Sequence, residues 1–452
     1  MWQIRCDTGD ESARTCVSCG CMCRVRTSRE RTVVHVPLGS DAIHLKVRVR
    51  SYECVACARM WHDDLGALAS GRTLLSRAAV DWALRRVALE SASVAACART
   101  LGCSWNALDR AVRAAGMRIL SESDPYGAVT RIGVDEHVWR HGASGDRYVT
   151  VIVDLTPRAD GRPARLLDMA PGRSAQAFAN WLEARGARFR DRVEVVAMDA
   201  FSGWKQAAAR MLRTAVEVID PFHVVHLAAG RLTMVRCRLQ REATGRRGVK
   251  GERLYDCRRA LLKTASLRTP RQRERVDALL VDPVNDALRL AHGVYQRIIA
   301  CYRHKDPRRG RRMMGALIDA LAEPTATRRC PELRSLGRTL KRRRADILAY
   351  FTHRHSSNGP TEAINGRLET LRGIAMGFDN FEHYRQRSLI HSGRIKDILT
   401  HQKGKSPYRA FIAESLTKHL LFGAVLGMSK APNRWNCNGS GPVMVPPQGF
   451  EP

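Results

Sequence analysis

The sequence predicts a multidomain α/β protein, in which a core of alternating strands and helices is interrupted by a long basic helical segment. Three observations predict it. Five apolar strand-like runs alternate with helical stretches between residues 130 and 220. Helical periodicity takes over from His223 to about residue 355 and returns in TEAINGRLETLRG and NFEHYRQRSLIHSGRIKDILT. Two Cys-x-x-Cys pairs frame alternating strands near the N-terminus. A chain of 452 residues at roughly 150 per domain allows about three domains. Its 44% apolar residues are enough to bury their cores.

Residues 1–66 form the first module. Cys16-Val-Ser-Cys19 and Cys54-Val-Ala-Cys57 are separated by strands such as HLKVRVRSYEC. Each pair fits a tight knuckle whose two sulfurs converge on one ion, and two knuckles make the closed Cys₄ site of structural zinc. So small a module needs such a staple, because its core alone is too small. Cys6, Cys21, Cys23 and His62 are alternative ligands, so the exact set stays open. Seven of the 14 cysteines fall in the first 57 residues; the others read as buried or inert thiols.

Residues 67–120 read as helices. Ser93 to Arg113 fits a helix-turn-helix, with Gly102 taking the left-handed conformation of the turn. Ser104 is placed to cap the second helix. That helix is expected to present Trp105, Asn106, Asp109 and Arg110 to a DNA major groove.

The linker SESDPYGA leads into residues 121–226, the first part of the core. Its strands are RIGVDEHVW, YVTVIVDL, ARLLDMA, VEVVAMD and VEVID, with helices at about 174–187 and 203–213. Residues 227–355 are helical and basic. From residue 231 to 355 there are 32 Lys or Arg against 12 Asp or Glu, a net of +20 out of +32 for the chain. Residues 356–400 complete the core with helices. The Pro/Gly/Asn-rich end of segment 401–452 is expected to be disordered after about residue 430.

A net charge of +32 predicts a polyanionic partner, since neutralising phosphates releases condensed counterions. Double-stranded DNA fits this better than a membrane, which would need a basic amphipathic helix with bulky apolar anchors. The first residues, MWQIRCDTGDE, lack an apolar signal core, and the apolar run Leu420–Met428 is too short to span a bilayer. The expected location is the cytosol, where cysteines do not form a disulfide framework.

Three acids stand out by position. Asp135 lies in the strand RIGVDEHVW, Asp199 ends the strand VEVVAMD, and Glu362 lies near the start of the helix in SNGPTEAINGRLE. Acids at strand ends sit half-buried at a sheet's edge, where a helix can bring a third. Such hard oxygen ligands suit two Mg²⁺ or Mn²⁺ ions working on a phosphodiester. Asn358, Asn365 and Glu369 fall on the same helical face as Glu362, a polar face suited to a wet, phosphate-facing site.

Other residues are weaker candidates. Asp220 also ends a strand and rivals Asp199. His223 and His226 read as a packed or phosphate-contacting face, with His223 near enough to Asp220 to line the site. Asp154 reads as a turn residue, and Trp139 and Trp204 as core rather than as platforms for a base. Lys341, Arg342, Arg343 and Arg344 form a charge run assigned to phosphate contacts.

At this point the residues resemble a known family, the bacterial insertion-sequence transposases of the ISL-three type. The matching pieces are CVSCG…YECVACARMW, RIGVDEHVWR, VVAMDAFSGW, VEVIDPFHVVHLA and SNGPTEAINGRLETLRGIAMGFDNFEHYRQRSLIH, spanning about residues 16–391. The resemblance implies a zinc ribbon, a helix-turn-helix and a catalytic domain with a ribonuclease-H-like mixed sheet. It implies Asp135, Asp199 and Glu362 as a DDE triad and the basic helices as an insertion in that domain. It further implies cleavage at transposon ends, attack of the freed 3′-hydroxyl on target DNA, and a homodimer or higher oligomer pairing the ends. The extra cysteines and the tail beyond residue 430 depart from the family pattern. A catalytically inactive DNA-binding regulator and a related metal-dependent nuclease are the competing functions.

Overall fold

The computed structural model describes residues 1–7, 14–66, 68–71, 73–122, 124–141, 147–199, 202–323, 325, 328, 330–354, 356–401 and 428–430. The rest of segment 401–452, including its expected disorder, lies outside the described residues. The chain divides into two units: Met1–Arg86 with Ala92–Ala115 and Gln402–Pro452, and Val87–Ser91 with Gly116–His401.

The first unit is built on strand β3 (Asp41–Cys54). Strand β2 (Cys23–Leu38) pairs antiparallel along one edge of it, turning at Gly39, whose φ of +60° suits a two-residue hairpin loop. Strand β1 (Trp2–Asp7, parallel) and strand β4 (Met60–His62, antiparallel) share the other edge. Strand β10 (Met428–Lys430) extends the sheet beyond β1. Along β3, Ile43, Leu45, Val47 and Val49 are buried, the period-two pattern that fixes its register.

Helices α1 (Arg77–Leu89), α2 (Val94–Leu101) and α3 (Trp105–Ser121) follow. Ser93 caps α2 by accepting from Ala96 N–H, and Gly102 closes it at φ +64°. Ser104 Oγ accepts from Ala107 N–H at 3.3 Å, the cap expected for α3. The caps and the left-handed turn between α2 and α3 are thus present.

The second unit holds a five-stranded mixed sheet. Its strands are β5 (Arg131–Val138), β6 (Tyr148–Asp154), β7 (Arg165–Pro171), β8 (Val195–Met198) and β9 (Val216–Ile219), in the order β7-β6-β5-β8-β9. The first three pair antiparallel, and β8 and β9 run parallel to β5. Helices α4 (Ala175–Ala184), α5 (Gly186–Arg190) and α6 (Ser202–Met211) cover one face. There Phe178, Trp181, Phe189 and Trp204 pack on Ile132, Val134 and Val196. Helices α15 (Gly359–Ile374) and α16 (Phe381–Ser392) cover the other, where Ile364, Leu368 and Tyr384 pack on Val151, Val153 and Ala197. Trp204 and Trp139 are both core residues, 1% and 6% exposed.

Between β9 and α15 the chain forms a helical body with its own core. It comprises α7 (Pro221–Thr244), α8 (Arg253–Asp256), α9 (Arg258–Leu261), α10 (Pro270–Val281), α11 (Asp286–Arg303), α12 (Pro307–Ala322), α13 (Pro331–Arg342) and α14 (Arg344–Thr352). Helix α7 starts directly after β9 and runs on through residue 227, where the sequence reading placed the start of this body. Helix α17 (Ile395–His401) follows α16. Among the described residues no helix is long and apolar enough to cross a membrane.

Candidate active site

The register of three parallel strands aligns three acids. Val134 pairs with Met198, and Met198 pairs with Ile219. The next residues, Asp135, Asp199 and Asp220, therefore stand in one row across β5, β8 and β9. Alternation along β5 sends Ile132 and Val134 to the α4–α6 face and Gly133, Asp135 and His137 toward α15. Helix α15 lies over the row with Glu362 in its first turn, its side chain 42% exposed.

Three hydrogen bonds hold α15 in place. Asn365 Nδ2 donates to Asp135 Oδ2 at 3.0 Å and to the Glu136 carbonyl at 3.2 Å. The main-chain N–H of Asn358 donates to Asp220 Oδ1 at 2.7 Å. The other Asp220 oxygen accepts from Phe222 N–H at 2.8 Å, capping α7. Both Asp220 oxygens thus serve main-chain amides in a buried position. The rival for the second carboxylate is a capping and pinning residue. The pair Asp220-Pro221, an acid before proline at a strand-to-helix junction, is the sequence signal for that role.

Asp135 carries the clearest electrostatic signature. Burial, joined by the negative charges of Asp199, Glu362 and Glu136, pushes its carboxyl up to about 7, against the N–H of Glu136. The acids therefore face each other closely enough to repel, the condition that a divalent cation relieves. Asp135, Asp199 and Glu362 offer hard oxygen donors that fit Mg²⁺ or Mn²⁺. Among the described residues, the carboxylate-bearing group whose ligand atoms lie within 4.8 Å of one another is Asp220, His223 and Glu362, not Asp135, Asp199 and Glu362; His223 Nε2 is 3.8 Å from Glu362 Oε1. His223 therefore lines the site.

The raised carboxyl has a consequence for metal-free protein. Between about pH 4 and pH 7 the unfolded carboxyl is ionised while the folded one keeps its proton. The folded state then binds more protons, so this group's contribution to stability falls as pH rises through that window. Thermal denaturation in chelator across this range should show the decline, and Asp135→Asn should remove that component. An unchanged slope in the variant would refute it.

Asn358 departs from the expected wet face. It is fully buried, because it precedes the first turn of α15 and its side chain turns inward toward Gly133. Thr361, also fully buried, crowds the same glycine: a Cβ on Gly133 would overlap Thr361 Oγ1 and lie 3.3 Å from Asn358 Oδ1. Gly133→Ala is expected to destabilise the unit by about 1–3 kcal/mol by forcing α15 off β5. A urea midpoint unchanged from the parent would contradict this close packing. Neither Gly133 nor Thr361 was legible in the sequence as part of the site. Glu369 lies farther along α15, paired with Arg372 at the surface.

Asp154 is buried, salt-bridged to Arg165 at 2.8 Å and capping Thr156 N–H, the turn role expected of it. His226 is exposed. The charge run needs correction. Arg343 is buried against Asp346 at 3.2 Å, because α13 ends at Arg342 and α14 begins at Arg344, leaving Arg343 at the break. Lys341 and Arg344 both pair with Asp319 at 2.8 and 3.1 Å, and Arg342 is exposed. Arg343 cannot contact phosphate from there.

In the other unit, the helix α3 exposes Trp105, Asn106 and Arg110. Asp109 does not join them: it is 4% exposed and pairs with Arg113 at 2.7 Å. One face of α3 must bury apolar residues such as Leu108 and Val112, and Asp109 lies on its margin.

The four cysteines of the two knuckles converge. Cys16 Sγ lies 3.6 Å from Cys57 Sγ, and Cys19 Sγ lies 3.4 Å from Cys54 Sγ and 3.7 Å from Cys57 Sγ. A tetrahedron with metal–sulfur bonds of about 2.3 Å has edges of about 3.8 Å, so the spacing fits zinc. The knuckles share one backbone pattern, with Gly20 at φ +70° and Ala58 at φ +56° after the second cysteine of each. The N–H of Ser18 is the main influence lowering the Cys16 thiol to about 6, and that of Cys57 lowers Cys54. Among the described residues, Cys6, Cys21, Cys23 and His62 lie outside this cluster.

Comparison with known proteins adds the following. Residues 132–388, more than half of the chain, match the model of a family described as transposase, the DDE transposases of the ISL-three type. Among solved structures, the Drosophila P element transposase strand transfer complex is similar at 12% identity, over 69% of this chain and 91% of that one. Its TM-score is 0.32, a likeness too loose to assign a fold. No curated protein matches the chain.

Proposed function

The chain belongs to this transposase family, and from that premise we propose that it is a DNA transposase whose reacting centre is formed by Asp135, Asp199 and Glu362. The observation that carries the assignment is the row of Asp135 and Asp199 on neighbouring parallel strands, with Glu362 held over it by α15. The ribonuclease-H-like reading of the core is supported by three antiparallel strands continued by two parallel ones, with helices on both faces.

The proposed reaction breaks a phosphodiester at a transposon end with water, freeing a 3′-hydroxyl that then attacks a phosphodiester of target DNA. When bound by the three carboxylates, Mg²⁺ or Mn²⁺, two per site, supplies charge neutralisation at the phosphate and activation of the attacking oxygen. The protein's own groups set the geometry. Asn365 fixes one oxygen of Asp135, Asp220 pins the start of the Glu362 helix, and His223 borders Glu362. No side chain serves as a covalent nucleophile.

DNA is the proposed partner. Trp105, Asn106 and Arg110 are assigned to base and backbone contacts in the major groove, and the basic helical body to phosphates. Zinc on Cys16, Cys19, Cys54 and Cys57 is proposed as structural. Pairing two ends calls for a homodimer or higher oligomer.

The test is incubation of the full chain with linear DNA carrying the inverted repeats that flank its coding sequence, in Mg²⁺ or Mn²⁺. Cleavage at the repeat ends followed by joining to target DNA is the expected result. Binding without cleavage would assign a regulator, and cleavage without joining a nuclease.

A further inference from the structure

We propose that Phe222 and His226, on the first turns of α7, form a ledge on which an unstacked nucleobase beside the scissile phosphodiester stacks. The inference rests on the assignment of Asp135, Asp199 and Glu362 as the reacting centre. Phe222 is 59% exposed. A single exposed apolar side chain is ordinary on a protein surface, so exposure alone says little. Its placement says more. The Phe222 N–H donates to Asp220, and its ring meets that of His223 edge-on, centroids 5.7 Å apart. His223 in turn reaches to 3.8 Å from Glu362. The Phe222 ring also stacks with His226, centroids 6.0 Å apart and planes 27° from parallel. Three rings therefore run outward from the third acid, and the outer two are exposed.

The charge on α7 suits a nucleic-acid strand. From Pro221 to Arg241 the helix has no Asp or Glu and carries Arg231, Arg236, Arg238 and Arg241. Farther along the exposed side, Gly230 has open space around it. Over that stretch the helix itself sets no like charge against a strand. A base presents the flat π-face that such a ring accepts, but in a duplex that face is hidden in the stack. The occupant is thus a base taken out of the stack next to the bond being cut, where unpairing also frees the backbone to approach the acids.

The experiment compares the full-length chain with Phe222→Ala and Phe222→Trp in Mg²⁺. Substrates are linear end DNA and a series with one abasic site at successive positions around the cleavage point. Phe222→Ala is expected to cut normal ends on the order of tenfold or more slowly, with Phe222→Trp near the parent rate. At one abasic position the parent should fall to the rate of Phe222→Ala, and the variant should lose nothing further there. Equal rates for the parent and Phe222→Ala on normal ends overturn the ledge. So do losses that multiply at every abasic position. Loss of self-association in Phe222→Ala, with cleavage unchanged, would assign the ring to a protein contact and overturn it too. A parent chain that cuts no end refutes the reacting centre itself, which separates the two failures.

Discussion

Asp199→Asn and Glu362→Gln are each expected to lower cleavage of transposon-end DNA by roughly a thousandfold or more, while DNA binding stays close to that of the parent. The magnitude follows from the several kcal/mol that a correctly held cation contributes to a phosphoryl transition state, at about 1.4 kcal/mol per factor of ten. Each substitution keeps the side chain's shape and removes the charge proposed to hold the ion. Glu362 is 42% exposed, so folding should be little affected. Gel-based cleavage kinetics beside a filter-binding isotherm measure both quantities. A variant that cuts at the parent rate would remove that residue from the reacting centre. Asp220→Asn makes the informative contrast, because both of its oxygens accept main-chain N–H bonds. Its loss should be felt first in stability.

Cys16→Ser carries the second large effect. The four sulfurs sit at zinc spacing, and a structural zinc site contributes about 10–16 kcal/mol of apparent binding free energy. Replacing one thiolate by a hydroxyl should release about one zinc per chain and loosen both knuckles, since Cys16 and Cys57 come from different knuckles and lie 3.6 Å apart. Elemental analysis with an end-binding assay reads the result. Zinc content equal to the parent's would mean that the ligands lie elsewhere. Cys21→Ser is the control, since Cys21 is exposed and outside the cluster, and it should keep the metal.

How far the sequence could be read depends on whether a feature is local. Strand alternation, the Ser93 and Ser104 caps, the Gly102 turn and the Cys-x-x-Cys knuckles follow from neighbours within a few positions, and all appear as expected. Which four sulfurs converge could be read only in three dimensions, where Cys21 and Cys23 turn toward the carbonyls of Cys19 and Arg14. Features decided by packing were less legible. Asp109 and Arg343 look like surface charges in the sequence, yet each is buried with a partner supplied by the fold. Asn358 seemed to extend the polar face of α15 by one turn, but the helix starts after it and the side chain points inward. The neighbours that decide Gly133 and Asp220, Thr361 and the Asn358 amide, are remote in sequence.

The bond between Asp220 and the Asn358 N–H joins residues 138 positions apart. A ribosome adding about 5–20 residues per second delivers Glu362 on the order of ten seconds after the sheet's own acids. Throughout that interval the nascent chain has its sheet acids and the beginnings of its basic surface but lacks the third acid. On the proposed function, such a chain would hold nucleic acid before it could cut any. Completion of the proposed centre is thereby deferred until the helical body has been made, and a chain that stops within that body lacks the acid proposed to complete it.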